Sequence, residues 1–216
     1  MAPQRIAPVL CIFVMLLLPL STHAQWIDRF GVQGGVVASS ASDNMDQFNL
    51  DRRTGWRGSA FAEKRLLPFL AVRGEVGYTQ RGFVESTTEV DRDGNETPRE
   101  ATTRLDYLTI PLLAKLEHDV GAASLYALAG PRVDLLLGRE AGVFAFSTGD
   151  IESEVADFYD STAAGGTLGV GVSTRMQPAQ VFIEGRYDVD ITDSFPADAP
   201  RKVRNNAFTL VLGVAF

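Results

Sequence analysis

Apolar and polar positions alternate along most of this chain. The last stretch is the clearest case. Phe208, Leu210, Leu212, Val214 and Phe216 share one parity, and the smaller Ala207, Thr209, Val211, Gly213 and Ala215 share the other. A period of two is the mark of a β-strand, because successive side chains point to opposite faces. Seven earlier segments alternate in the same way. They predict strands over about residues 30–39, 55–66, 69–80, 103–117, 123–137, 167–176 and 180–190, before the last at 206–216. A strand at the extreme end of a chain needs a partner, and in a closed barrel it pairs with the first strand.

The connections carry a second pattern. They are short at Leu67-Pro68, around His118-Asp-Val-Gly121 and at Gln177-Pro-Ala179. They are long at about 40–54, 81–102, 138–166 and 191–205, where Asp, Glu, Ser, Thr and Gly accumulate; Asp43, Asp46, Asp91, Asp93, Glu96, Asp150, Glu152, Glu154 and Asp157 lie there. Strict alternation of short and long connections is what an outer-membrane barrel shows, with short periplasmic turns and long extracellular loops. The expectation is an all-β chain forming an eight-stranded antiparallel up-and-down transmembrane β-barrel.

Alternation alone does not say which face is inside, and a soluble carrier barrel would turn its apolar face inward. Three features favour the membrane. The polar parity carries mixed charges (Arg73, Glu75, Lys115, Arg132, Asp134, Arg175, Glu184, Arg186 and Asp188) that could neutralise one another as a lumenal network. The apolar parity is Leu, Val, Ile and Ala at mid-strand, with Phe69, Tyr78, Tyr187, Phe208 and Phe216 towards strand ends, as in an aromatic girdle. Strands of this length also match a tilted span of an apolar band.

Residues 1–24 read as a cleaved secretory signal peptide. Arg5 supplies the positive start, Val9 to Leu20 the apolar run, and Thr22-His-Ala24 the small residues before a cut ahead of Gln25. The run is shorter than the roughly 20 residues of a spanning helix. The barrel domain is then expected over 25–216. The lone cysteine, Cys11, falls in the signal, so neither disulfides nor thiolate metal sites are expected. The formal charge of −7 argues against nucleic acid as a partner, since phosphate binding wants basic patches.

Several segments resemble a known family. Leu105-Asp-Tyr-Leu-Thr-Ile-Pro-Leu-Leu-Ala-Lys-Leu116 is similar to the YLEIPLLLK strand of the PorT-like outer-membrane β-barrel proteins of Bacteroidetes and relatives. Tyr126-Ala-Leu-Ala-Gly-Pro-Arg132, Phe182-Ile-Glu-Gly-Arg-Tyr187, the ending Gly213-Val-Ala-Phe216 and Glu75-Val-Gly-Tyr-Thr-Gln-Arg-Gly82 resemble further strands of that family, in the right order. The resemblance implies a membrane barrel and, because the family is diverse, no particular activity.

Catalytic and metal chemistry is sparse. His118 is the only histidine after residue 24, and although Asp119 adjoins it, neighbours in a turn rarely form a dyad. One histidine and no cysteine give no zinc pattern. Asp91-Arg-Asp-Gly-Asn-Glu96 fails as a calcium loop, since Gly94 is fourth and Thr102 twelfth where Gly is wanted sixth and Glu twelfth. The acidic stretch 150–160 is a candidate for divalent cations, though such runs are usually solvated loops.

The expectation is a non-enzymatic protein without cofactors, structural or interacting in role. Its partners are expected to be outer-membrane lipid, the barrel assembly machinery reading Phe216, and a protein of the envelope. The competing readings are a soluble periplasmic carrier of an apolar ligand and a lipid-modifying enzyme.

Overall fold

A computed structural model describes residues 26–43, 49–90, 96–141, 162–191 and 203–216. Eight strands run in chain order: β1 (Arg29–Asp43), β2 (Asn49–Leu67), β3 (Leu70–Val90), β4 (Glu96–Val120), β5 (Ala123–Ala141), β6 (Thr162–Met176), β7 (Ala179–Asp190) and β8 (Val203–Ala215). Each pairs antiparallel with its sequence neighbour, and β8 pairs with β1, closing the barrel. Closure reaches the last residue: the Phe216 N–H donates to the Phe30 carbonyl (2.8 Å), and the Phe30 N–H donates back to Phe216 (3.1 Å). No strand edge is left along the wall, so backbone donors and acceptors pair within the ladder, as hydrocarbon surroundings demand.

The three short connections lie at one rim. The β4–β5 turn contains Gly121 with φ 63°, a left-handed conformation that glycine adopts without a Cβ penalty. Around the outside of the wall the exposed residues are those of the apolar parity, among them Ile110, Leu112, Leu116, Leu125, Val170, Ile183, Leu210 and Leu212. Outward aromatics form two tiers. Phe30, Phe69 and Phe216 stand at the short-turn rim; Trp56, Tyr78, Tyr187 and Phe208 stand higher. Phe30 and Phe216 stack at 6.0 Å between ring centres, and Trp56 and Tyr78 at 4.7 Å.

The strands run further than the alternation predicts. Residues 81–102, expected as a long loop, are mostly ladder: β3 and β4 pair from Arg81↔Leu105 out to Val90↔Glu96. Glu96 therefore opens a strand rather than lying in a loop, and Asp43 ends one. The other long connections shorten likewise, since β2 begins at Asn49, β5 ends at Ala141 and β6 begins at Thr162. Ladder pairing needs only backbone donors and acceptors, so it continues where the sequence offers no apolar parity for alternation to report. Thr87, Thr88, Thr97 and Thr102 suit such an extension, because β-branched side chains favour extended backbone. The 25 residues of β4 reach about 80 Å along the strand, several times a 25 Å apolar band. Asp46, Asp91, Asp93, the acidic stretch 150–160 and residues 1–24 lie outside the described residues.

Candidate functional site: the filled lumen

Inward-facing positions pack the barrel axis. Among the described residues, six buried cations (Arg57, Arg73, Arg81, Lys115, Arg132 and Arg186) face six buried anions (Glu63, Glu75, Asp134, Glu184, Asp188 and Asp190). A narrow lumen can hold so many ions because their signs balance and each is paired; an unpaired ion would face a steep desolvation cost.

The pairs connect end to end. At the short-turn rim Arg29 reaches Glu117 (3.0 Å) and Glu63 (3.4 Å), and Lys115 reaches the same two carboxylates at 2.9 and 3.2 Å. Arg73 joins Glu63 (2.9 Å) to Glu184 (3.2 Å). Arg186 grips Glu75 through two nitrogens, both at 2.7 Å, and also pairs with Glu184. Arg57 lies 3.6 Å from both Glu75 and Asp188. Towards the long-loop rim, Arg81 and Arg132 share Asp134, Asp188 and Asp190. The bidentate guanidinium geometry explains why arginine, rather than lysine, supplies five of the six buried cations.

Interleaved with these ions is an apolar layer. Phe61, Leu113, Tyr126, Leu128, Phe182, Val211 and Ala215 form one buried cluster inside the barrel. Three glycines directly across the ladder make room for its rings: Gly31 faces Phe61, Gly171 faces Tyr126 and Gly213 faces Phe182. A Cβ at these glycines would come within 2.6, 2.4 and 2.3 Å of the respective ring. The far ends of the rings thus occupy the space a Cβ would take on the next strand, which fills the taper of a small barrel.

The expected lumenal residues Arg73, Glu75, Lys115, Arg132, Asp134, Glu184, Arg186 and Asp188 all sit inside in this network. Arg175 does not: it is exposed at the short-turn rim. It has the inward parity, but it pairs with Gln180 one residue before the β6–β7 turn, too close to the barrel mouth to be enclosed. Arg57, Glu63, Arg81 and Asp190 are further members. Their signal was parity: Arg57 and Glu63 alternate with Ser59 and Phe61, and Arg81 continues 73, 75 and 79 just past the expected strand end. Phe61 and Phe182 share the parity of Glu63 and Glu184, so inward aromatics were equally readable.

At the turn, His118 is exposed on the outer parity, and Asp119 accepts a hydrogen bond from the Ser124 hydroxyl (2.5 Å) instead of from the imidazole. Among the described residues no group of three or more His, Cys, Asp and Glu side chains is arranged to hold a metal.

Similar solved structures include outer membrane proteins. The attachment invasion locus protein Ail of Yersinia pestis shares 16% identity over 87% of this chain and 98% of its own, with a TM-score of 0.45. Neisserial surface protein A shares 17% over 87% and 97%, at 0.49. The outer membrane protease OmpT of Escherichia coli shares 9% over 92% and 98%, at 0.46. No curated protein matches the sequence. The family described as "Outer membrane protein beta-barrel domain" matches residues 24–196, most of the sequence and all of β1 to β7. With its closed eight-stranded wall, apolar outside and ionic inside, this chain belongs to the outer membrane protein beta-barrel domain family.

Proposed function

We propose that this protein is a non-enzymatic barrel of the PorT-like kind that acts through its two rims as a structural or interaction element of the outer membrane. The observation that carries this reading is the lumen. Twelve buried ions balance in sign and an apolar cluster lies among them, which supports a lumen with neither a passage nor a reaction cleft. Eight strands leave room for little beyond side chains. What remains for partners is the short-turn rim on the periplasmic side and the extended strands on the other, of which, among the described residues, the β3–β4 ladder reaches furthest. An envelope protein is the partner this reading implies. The outward apolar wall runs against a soluble carrier, whose apolar face would line a cavity.

The reading includes a signal peptide over 1–24, cleavage before Gln25, and recognition of Phe216 by the barrel assembly machinery. Planar-bilayer recording of the refolded chain tests the filled lumen: no unitary current steps are expected, and steady large steps would refute it. The envelope lipid composition of a deletion strain tests the absence of enzyme activity. An unchanged lipid profile is expected, and loss of one modified species would point to a lipid-modifying barrel.

A further inference from the structure

Within the filled lumen one layer differs in kind from the rest. Phe61 from β2, Leu113 from β4, Tyr126 and Leu128 from β5, Phe182 from β7 and Val211 from β8 form a ring of apolar groups. The other strands close it without bulk: Gly31 of β1 and Gly171 of β6 lie beneath the rings of Phe61 and Tyr126. From β3 comes Arg73, whose guanidinium carbon lies 4.5 Å from the Phe61 ring centre, 5.4 Å from Phe182 and 5.9 Å from Tyr126. Phe61 and Phe182 meet edge to face at 5.7 Å. Arg73 is 2% exposed and is tied to Glu63 on the short-turn side and to Glu184, which also accepts from the Tyr126 hydroxyl at 2.9 Å.

We infer that this collar is the water-tight seal of the barrel, with Arg73 as its stopper, and that the lumen below it is a blind well open to the short-turn side. The inference rests on the filled-lumen reading and locates the barrier within it. Three observations support the location. A ring of hydrocarbon excludes water and small ions even where atoms leave narrow gaps, since a dry constriction resists wetting. A guanidinium held over aromatic faces is desolvated without losing its ion pairs. The polar contents differ on the two sides. Below the collar, Arg29 is partly exposed beside Glu63, Lys115 and Glu117 at the mouth. Above it, the Nε of Arg57 and Arg81 and the hydroxyls of Thr79, Thr109 and Thr209 are buried without a hydrogen-bond partner in the protein, as expected of a layer satisfied by trapped water.

The chain lacks cysteine after Cys11, so single thiols report water access cleanly. Arg175→Cys, at the exposed short-turn rim, reads the orientation of the full barrel in vesicles. Thr209→Cys, one inward position beyond Val211 on β8, reads access past the collar. With a charged, membrane-impermeant thiol reagent on the short-turn side, Arg175→Cys should react and Thr209→Cys should not. Adding Arg73→Ala should raise the Thr209→Cys rate by about tenfold or more. Phe182→Ala, which keeps every ion pair, serves as the second opening variant, and heat-modifiable gel migration reports that each variant is folded. Fast reaction of Thr209→Cys with an intact collar would overturn the seal. Silence of Thr209→Cys in both folded opening variants would place the barrier elsewhere. Neither outcome depends on current through the whole barrel: unitary steps from the unaltered chain would instead refute the filled lumen itself.

Discussion

At the scale of single residues, the decisive quantity is the cost of an unpaired buried charge. Arg186 holds Glu75 by two hydrogen bonds and Glu184 by a further contact, and all three are fully buried. Arg186→Ala removes the nearest cation from both carboxylates, leaving Glu75 with Arg57 at 3.6 Å and Glu184 with Arg73 at 3.2 Å, and should cost about 3–5 kcal/mol, whereas removing charge from both sides with Arg186→Met and Glu75→Gln should recover part of that loss. Reversible urea unfolding in lipid vesicles measures both. A glycine can matter as much. Gly213→Val would drive side-chain atoms into the Phe182 ring, 2.3 Å from where a Cβ would sit, and should destabilise by about 1–3 kcal/mol in the same assay. Asp28, outside the barrel wall, shows a pH effect of known sign. Its carboxylate accepts the Arg65 N–H (2.7 Å), with Lys64 nearby, and this holds its pKa below the ordinary 3.8. The tie is therefore present above pH 3.8 and lost as pH falls through the lowered folded value. Amide exchange at Arg65 should stay protected at neutral pH and accelerate on strong acidification.

At the scale of elements, each strand has one face in lipid and one in an ionic interior, and a change of face is costly in both directions. Val72 points outward between Ala71 and Arg73, which are buried on the inward side. Val72→Arg, three residues into β3 on the lipid face, should destabilise the barrel by about 1–4 kcal/mol. A change below about 0.5 kcal/mol, the scale of ordinary surface substitutions, would show that Val72 does not face lipid. The β3–β4 hairpin makes the opposite case. Beyond Ser86↔Glu100 its two strands pair only with each other. Replacing residues 87–99 with a tight turn should leave heat-modifiable migration unchanged, because the wall beneath keeps its full ladder.

At the scale of the whole molecule, closure and assembly meet at one residue. Phe216 completes the β8–β1 ladder through its backbone and stacks on Phe30 at the short-turn rim. Its deletion should lower outer-membrane levels of the protein, read by fractionation; unchanged levels would remove it as an assembly signal. Strand number, order and the inside–outside assignment were all legible in the sequence. A bilayer makes the two faces of a strand chemically opposite, and a period of two records that contrast directly. Where the contrast weakens, legibility weakens with it: residues 84–90 and 96–102 pair as a ladder that no apolar–polar alternation announces. Arg175 shows the other limit. Parity told which way it points, but only its place at the barrel mouth decided that it is not enclosed. The sequence by itself determined a barrel with ions on one face. Which ion meets which, how Gly31, Gly171 and Gly213 accept the rings of Phe61, Tyr126 and Phe182, and that Arg73 lies among those rings were decided by the tertiary structure alone. Those contacts join residues as far apart in the sequence as Arg57 and Asp188, and they depend on strand stagger and barrel diameter, which no local pattern encodes.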